Sequence, residues 1–160
     1  MKTSPDSDVR EFYDKSADDY SRMMDGEIDL PMYHDTLSRL AASIVGLSGA
    51  VVDTSCGPGH MLQRYRERYD PDRALVGVDL SQRMVDIASA RLDSNAMVLA
   101  DDMRELHRIA RGSAAAVISF FALHHLAAVA AERAIARWHE VLSPGGQLRI
   151  ATWEGDGVID

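Results

Sequence analysis

The run Val51-Val52-Asp53-Thr54-Ser55-Cys56-Gly57-Pro58-Gly59-His60 joins two local patterns. Two β-branched residues and an acid form the end of a buried strand. Two glycines then make a turn, and an amphipathic run, Met61-Leu62-Gln63-Arg64-Tyr65-Arg66, begins a helix. An α/β protein uses strand, glycine turn and helix to bring backbone N–H groups close to a nucleotide-like ligand. A side chain at Gly57 or Gly59 would hold such a ligand away or demand an unfavourable φ. A plain βα turn would carry the same glycines, so the ligand must be argued from the spacing.

A dinucleotide fingerprint would need a third glycine where Leu62 stands, which counts against a nucleotide-dependent oxidoreductase. No Lys-Ser/Thr pair follows the glycines, so this is not a P-loop. What remains is Asp53 at the strand end. A carboxylate there is poor company for a pyrophosphate but suits a ligand that carries an ammonium group.

Downstream the pattern becomes rhythmic. Strands are predicted at Ala50–Asp53, Ala74–Asp79, Ala96–Ala100, Ala115–Phe120 and Gln147–Trp153. Helices are predicted from His60 to Arg68, after Ser81 as the cap, over Asp101–Ala110 and over Ala127–Leu142. Ser143-Pro144-Gly145-Gly146 reads as a type II turn before the last strand. This alternation predicts a doubly wound α/β fold, a mainly parallel sheet with helices on both faces and right-handed crossovers. In such a sheet the ligand lies beyond the C-terminal strand ends. Asp53, Asp79, Asp101/Asp102 and Phe120/Phe121 occupy those ends, and three of the four carry an acid.

Asp79 lies twenty residues after Gly59. A carboxylate at that strand end can accept hydrogen bonds from both hydroxyls of a ribose.

Together these segments resemble the class I S-adenosylmethionine (SAM) methyltransferases of the small-molecule type. Asp53-x-Ser55-x-Gly57-x-Gly59 resembles motif I, with Ser55 in place of the first glycine. Val76-Gly77-Val78-Asp79-Leu80-Ser81 resembles motif II, and places Leu80 and Met84 beside the adenine. Asp101-Asp102-Met103-Arg104-Glu105-Leu106 is similar to the segment that reads the adenine amine. Alignment on Met-Arg favours Asp102, with Met103 supplying a backbone N–H; alignment on the strand end favours Asp101. Leu142-Ser143-Pro144-Gly145-Gly146 is similar to the family's turn before the fifth strand. Tyr13-Asp14-Lys15-Ser16-Ala17-Asp18-Asp19-Tyr20 is similar to a segment that closes over the cofactor and makes Tyr20 a contact.

The resemblance implies strand order 3-2-1-4-5, here without the C-terminal antiparallel hairpin that relatives carry beside the fifth strand. It implies SAM as cofactor and in-line methyl transfer to an O, N or C nucleophile of a small molecule. A SAM- or S-adenosylhomocysteine (SAH)-binding protein without catalysis is the alternative. Leu123-His124-His125-Leu126 also resembles a stretch of these enzymes, and His124 and His125 are candidates to take a proton from the acceptor. The plainer reading is that one packs or caps the helix and the other is solvated. Neighbouring histidines are expected to project in different directions; with one cysteine and no HExxH, no metal site is expected.

Residues 1–7 are expected to be a disordered tail, 8–46 a helical cap and 47–160 the cofactor-binding core of a single domain. The formal charge is −8, and residues 1–30 hold nine acids against four bases. So acidic a chain is unsuited to nucleic acid or anionic membranes. By the same count the cap would not dock on its own charges, and a mobile lid held down by the cationic cofactor is expected. No signal peptide is visible, which makes the cytoplasm the expected location. The fifth strand is expected to be an edge that recruits another strand, with a homo-oligomer as one outcome.

Overall fold

The computed structural model describes residues 5–152, with side chains from Asp8. Trp153 and the first four residues lie outside that range.

Helix α1 spans Pro5–Glu27 and α2 spans Pro31–Ser43, each opened by a proline whose fixed φ suits the first turn. The α1 helix begins three residues ahead of the expected start at Asp8. Then follow β1 (Ala50–Asp53), α3 (His60–Arg68), β2 (Leu75–Asp79), α4 (Gln82–Arg91), β3 (Ala96–Ala100), β4 (Ala114–Phe120), a 3-10 turn (Leu123–His125), α5 (Ala128–Val141) and β5 (Leu142–Ala151). Every strand pairing is parallel, in the order β3-β2-β1-β4-β5. The α/β architecture and strand order are those expected.

Alternation along the strands divides the core. Val51 faces a cluster containing Leu37 and Leu40 of α2, Ile44 just past its end, and Leu62 and Tyr65 of α3. Val52, its neighbour, faces Val78, Val117, Trp138 and Val141 on the α5 side. β4 is buried on both faces from Ala114 to Ser119, as the central strand of a parallel sheet requires.

Two local expectations need correction. Residues 101–110 form turns, not a helix. Their carbonyls are held by side chains: Trp138 Nε1 donates to Met103 O (2.8 Å), and Arg137 donates to the carbonyls of Glu105, Leu106 and Ile109. Leu106, buried at φ 46°, leaves helical geometry altogether. Strand β5 begins at Leu142, five residues early, and its register jumps from Leu142 opposite Ala114 to Gln147 opposite Ala116. The extra residues form a bulge around Gly145 (φ 80°), where the Pro-Gly turn was placed.

Candidate cofactor site

The order of the sheet reverses between β1 and β4, so a crevice opens beyond their C-terminal ends. Two adjoining cavities lie there, sharing Tyr20, Ser55, Gly57, Phe120 and Phe121 in their walls. The larger, about 760 Å³ with its mouth, adds Asp79, Leu80, Met84, Asp102, Met103, Tyr13 and His125. The smaller adds Asp53, Tyr33, His60 and Met61.

The glycine turn is built from backbone inward. Cys56 N–H donates to Val78 O (2.8 Å), which sets the turn against β2. Gly57 N–H donates to Asp79 Oδ2 (2.8 Å), and Ser81 N–H to Asp79 Oδ1 (2.9 Å). Leu80 N–H adds a third bond, and with about four lone-pair sites the carboxylate keeps acceptor capacity for a further donor. Burial pushes the Asp79 carboxyl above its ordinary range against the pull of these bonds. Ser81 caps α4 through Met84 N–H, as expected. The turn fits so close to β2 that a Cβ on Gly77 would meet Cys56 Sγ at 2.9 Å.

Asp53 is 2% exposed, and burial pushes its carboxyl up to about 7, helped by Asp79 and opposed by the N–H of Ser55. Ser55 Oγ is buried with no hydrogen-bond partner among the described residues, a polar atom pointing to a ligand. Asp102 lines the larger cavity and Asp101 does not. Asp101 instead accepts from the N–H groups of Asp102 and His107 and bonds the His107 ring. Burial opposes ionisation of Asp102, but Arg104, bonded to both its oxygens, holds the carboxyl below its ordinary value.

Three predicted residues lie apart from the cavity walls. Gly59 (φ 87°) serves helix packing: a Cβ there would meet Ala88 Cβ at 3.1 Å. His124 lies outside both walls. Nor do the histidines diverge, because the 3-10 turn brings their ring centroids to 4.1 Å. His125 alone reaches the larger cavity, with Nε2 2.9 Å from the Tyr13 hydroxyl. Burial lowers the His125 pKa and raises that of Tyr13, so both groups are neutral, and the His125 tautomer decides which of them donates.

The docking of α1 overturns the charge argument made for the lid. Asp14 Oδ1 accepts from Ser81 Oγ (2.5 Å) and from Arg83 N–H (3.3 Å), and Asp18 takes the Arg83 guanidinium. Asp25 binds His60 Nε2 (2.7 Å) and Arg91, and Asp29, just past α1, binds Arg64. The net charge is acidic, but arginines are concentrated where α3 and α4 meet this helix. Neither His60 and Tyr33 in the cavity wall nor the arginine partners of α1 stood out in the sequence. Their roles depend on pairings 35 or more residues apart, which no local pattern marks.

Residues 51–146 match the profile of the methyltransferase domain family. An uncharacterized methyltransferase of Geobacillus kaustophilus is 26% identical over 149 residues, covering 89% of this chain and 66% of the relative. In fold, the chain is similar to magnesium protoporphyrin IX methyltransferase from Synechocystis, solved with bound SAM (TM-score 0.67, 19% identity, 89% of this chain and 74% of that one). It is also similar to the sugar N-methyltransferase KedS8 from Streptoalloteichus (TM-score 0.71, 23% identity, 88% and 56%). The chain thus spans somewhat less than two thirds of the curated relative it matches. With the sheet order, the glycine turn on Asp79 and a profile match over more than half its length, the chain belongs to the class I SAM-dependent methyltransferase domain family.

Proposed function

We propose that the paired cavities hold SAM and that the protein transfers its methyl group to a small molecule bearing an O, N or C nucleophile. The observation that carries this is the bond from Gly57 N–H to Asp79, which joins the glycine turn and the ribose-type carboxylate on one cavity wall. The residues present suit the cofactor: Asp79 keeps acceptor capacity for a ribose hydroxyl, and Leu80 and Met84 give apolar walls for a base. Asp102 and the backbone of Met103 stand where a base edge is read. Asp53 and the unpartnered Ser55 hydroxyl face the end that takes a charged amino-acid tail. When bound, SAM supplies an electrophilic methyl group on a sulfonium.

The protein's part is to position, exclude water and handle a proton. Phe120, Phe121, Tyr13 and Tyr20 contribute aromatic rings to the cavity wall. Phe121 is held at φ 53°, a conformation rare for a bulky residue, with its N–H on Ala151 O (2.8 Å). In the Nδ1–H tautomer of neutral His125 the Nε2 lone pair accepts from the Tyr13 hydroxyl, and a proton delivered to Tyr13 Oη then passes on to His125. His124 packs against His125 with its ring tilted by 42°.

Calorimetry with SAM and SAH tests the cofactor assignment. Turnover against a panel of phenols, hydroxy acids and amines, read as SAH released, tests transfer. Tight binding with no turnover on any acceptor would favour a SAM-binding protein without catalysis. Absence of binding sinks the cofactor assignment itself.

A further inference from the structure

Arg91, at the last position of α4, is bonded to three other segments at once. Its Nε donates to Pro58 O (2.9 Å), inside the glycine turn. One terminal nitrogen reaches Gln63 Oε1 on α3 (3.0 Å). The other reaches Ser21 Oγ (3.1 Å) and Asp25 Oδ1 (3.3 Å) on α1. Asp25 Oδ1 also bonds Nε2 of His60, the first residue of α3 and part of the smaller cavity's wall. A guanidinium presents five N–H donors in a rigid fork, so it can hold separate acceptors in a fixed mutual arrangement. The Tyr20 ring of α1 also lies against Gly57, but Arg91 is the side chain among the described residues that hydrogen-bonds both the turn's backbone and α1.

We propose that Arg91 is a positioning residue for the cofactor site: it shapes the glycine turn through Pro58 and fastens that turn to α1. The turn and the helix that carries Tyr13 and Tyr20 are thereby one mechanical unit. Filling the cavity behind the turn tightens α1, and docking of α1 tightens the turn. The arrangement differs from the neighbouring Arg64–Asp29 pair, which joins α3 to the end of α1 without touching the turn. Arg91 has no place in the cavity walls, so it acts through Pro58, Asp25 and His60.

This proposal rests on the assignment of the cavities to SAM, and its test separates the two. SAH affinity is measured by calorimetry for the wild type, Arg91→Met, Arg91→Lys and Arg64→Met. Hydrogen exchange of residues 14–25 and 55–60 is followed with and without SAH. Arg91→Met should weaken SAH by at least about tenfold, the loss expected for charged hydrogen bonds at one hub, while Arg64→Met changes it little. In the wild type SAH should protect both segments. In Arg91→Met it should protect the turn at saturation and leave residues 14–25 as exchanging as without ligand. General destabilisation does not produce that split. Should Arg91→Met fail to fold, Arg91→Lys reads the same coupling, because a single ammonium cannot span Pro58 and Asp25 together. Wild-type binding with α1 protection retained in the variants, or equal losses in Arg91→Met and Arg64→Met, overturns the positioning role alone. A wild-type chain that does not bind SAH overturns the cofactor assignment, and this proposal with it.

Discussion

Three single residues set measurable terms. Asp53 titrates near 7 because it is buried beside Asp79, well above the 3.8 of a free carboxyl. A raised folded-state pKa means its contribution to apo stability is fully present below 3.8 and is lost as pH rises through about 7. A bound ammonium favours the ionised form, so SAM binding at pH 7 should release about half a proton. Calorimetry in buffers of different ionisation enthalpy reads this directly; a buffer-independent heat would remove Asp53 as the ammonium partner. Asp79→Ala takes an acceptor from Gly57 and Ser81 as well as from the ligand, so SAH affinity should fall by roughly 1.5–3 kcal/mol or more. An unchanged dissociation constant would contradict the ribose assignment. Gly77→Ala drives a methyl into Cys56 Sγ and Leu62, and overpacking of this kind costs roughly 1–3 kcal/mol. Its melting temperature should drop, although residue 77 touches neither cavity. Asp53, Asp79 and the glycines were legible because a strand end followed by a turn is a local pattern. Gly77 was not, because its need for a bare Cα comes from a loop twenty-one residues upstream.

At the scale of elements, α1 is held by ion pairs at its exposed rim and by Ala17 and Met24, both buried, beneath. Exposed pairs contribute only about 0.2–1 kcal/mol each and are screened by salt. Raising ionic strength should therefore increase exchange in residues 14–25 before it affects β1 or β4, and should weaken SAH binding in parallel. Equal exchange at low and high salt would mean that apolar packing alone holds the helix. The segment 101–110 shows the opposite balance, because Trp138 and Arg137 take its carbonyls. Trp138→Phe keeps most of the volume and frees Met103 O; the base-reading end of the cavity should loosen, with SAH weakened more than folding. The sequence suggested a helix there because its apolar residues recur at helical spacing. Side chains 28 to 35 residues away decide otherwise.

The whole molecule is a sheet with its two ends treated differently. At the N-terminal ends of the strands, Arg73 is fixed by Asp70 and by the carbonyls of Leu47 and Gly49, at the edge of a shallow open depression. Everything proposed to meet ligand hangs at the opposite ends. The strand order was legible because strict alternation of strands and helices admits few topologies. Which helix touches which was not, since docking angles are set by packing. Among the described residues β5 pairs only with β4, and Ile150 beside that edge is 38% exposed. An edge of this kind is expected to associate with another strand; sedimentation over a concentration series should show reversible self-association, and a monomer at every concentration would contradict it. One further feature gives the molecule a built-in reporter. The chain's single cysteine, Cys56, sits 5% exposed in the glycine turn, its sulfur against Gly77, with burial holding the thiol protonated. Cys56 also lines the smaller cavity, so alkylation must wait for that cavity to open or for the turn to lift away from β2. The labelling rate of the unmodified protein is a clock for that opening, and a ligand seated behind the turn should slow it.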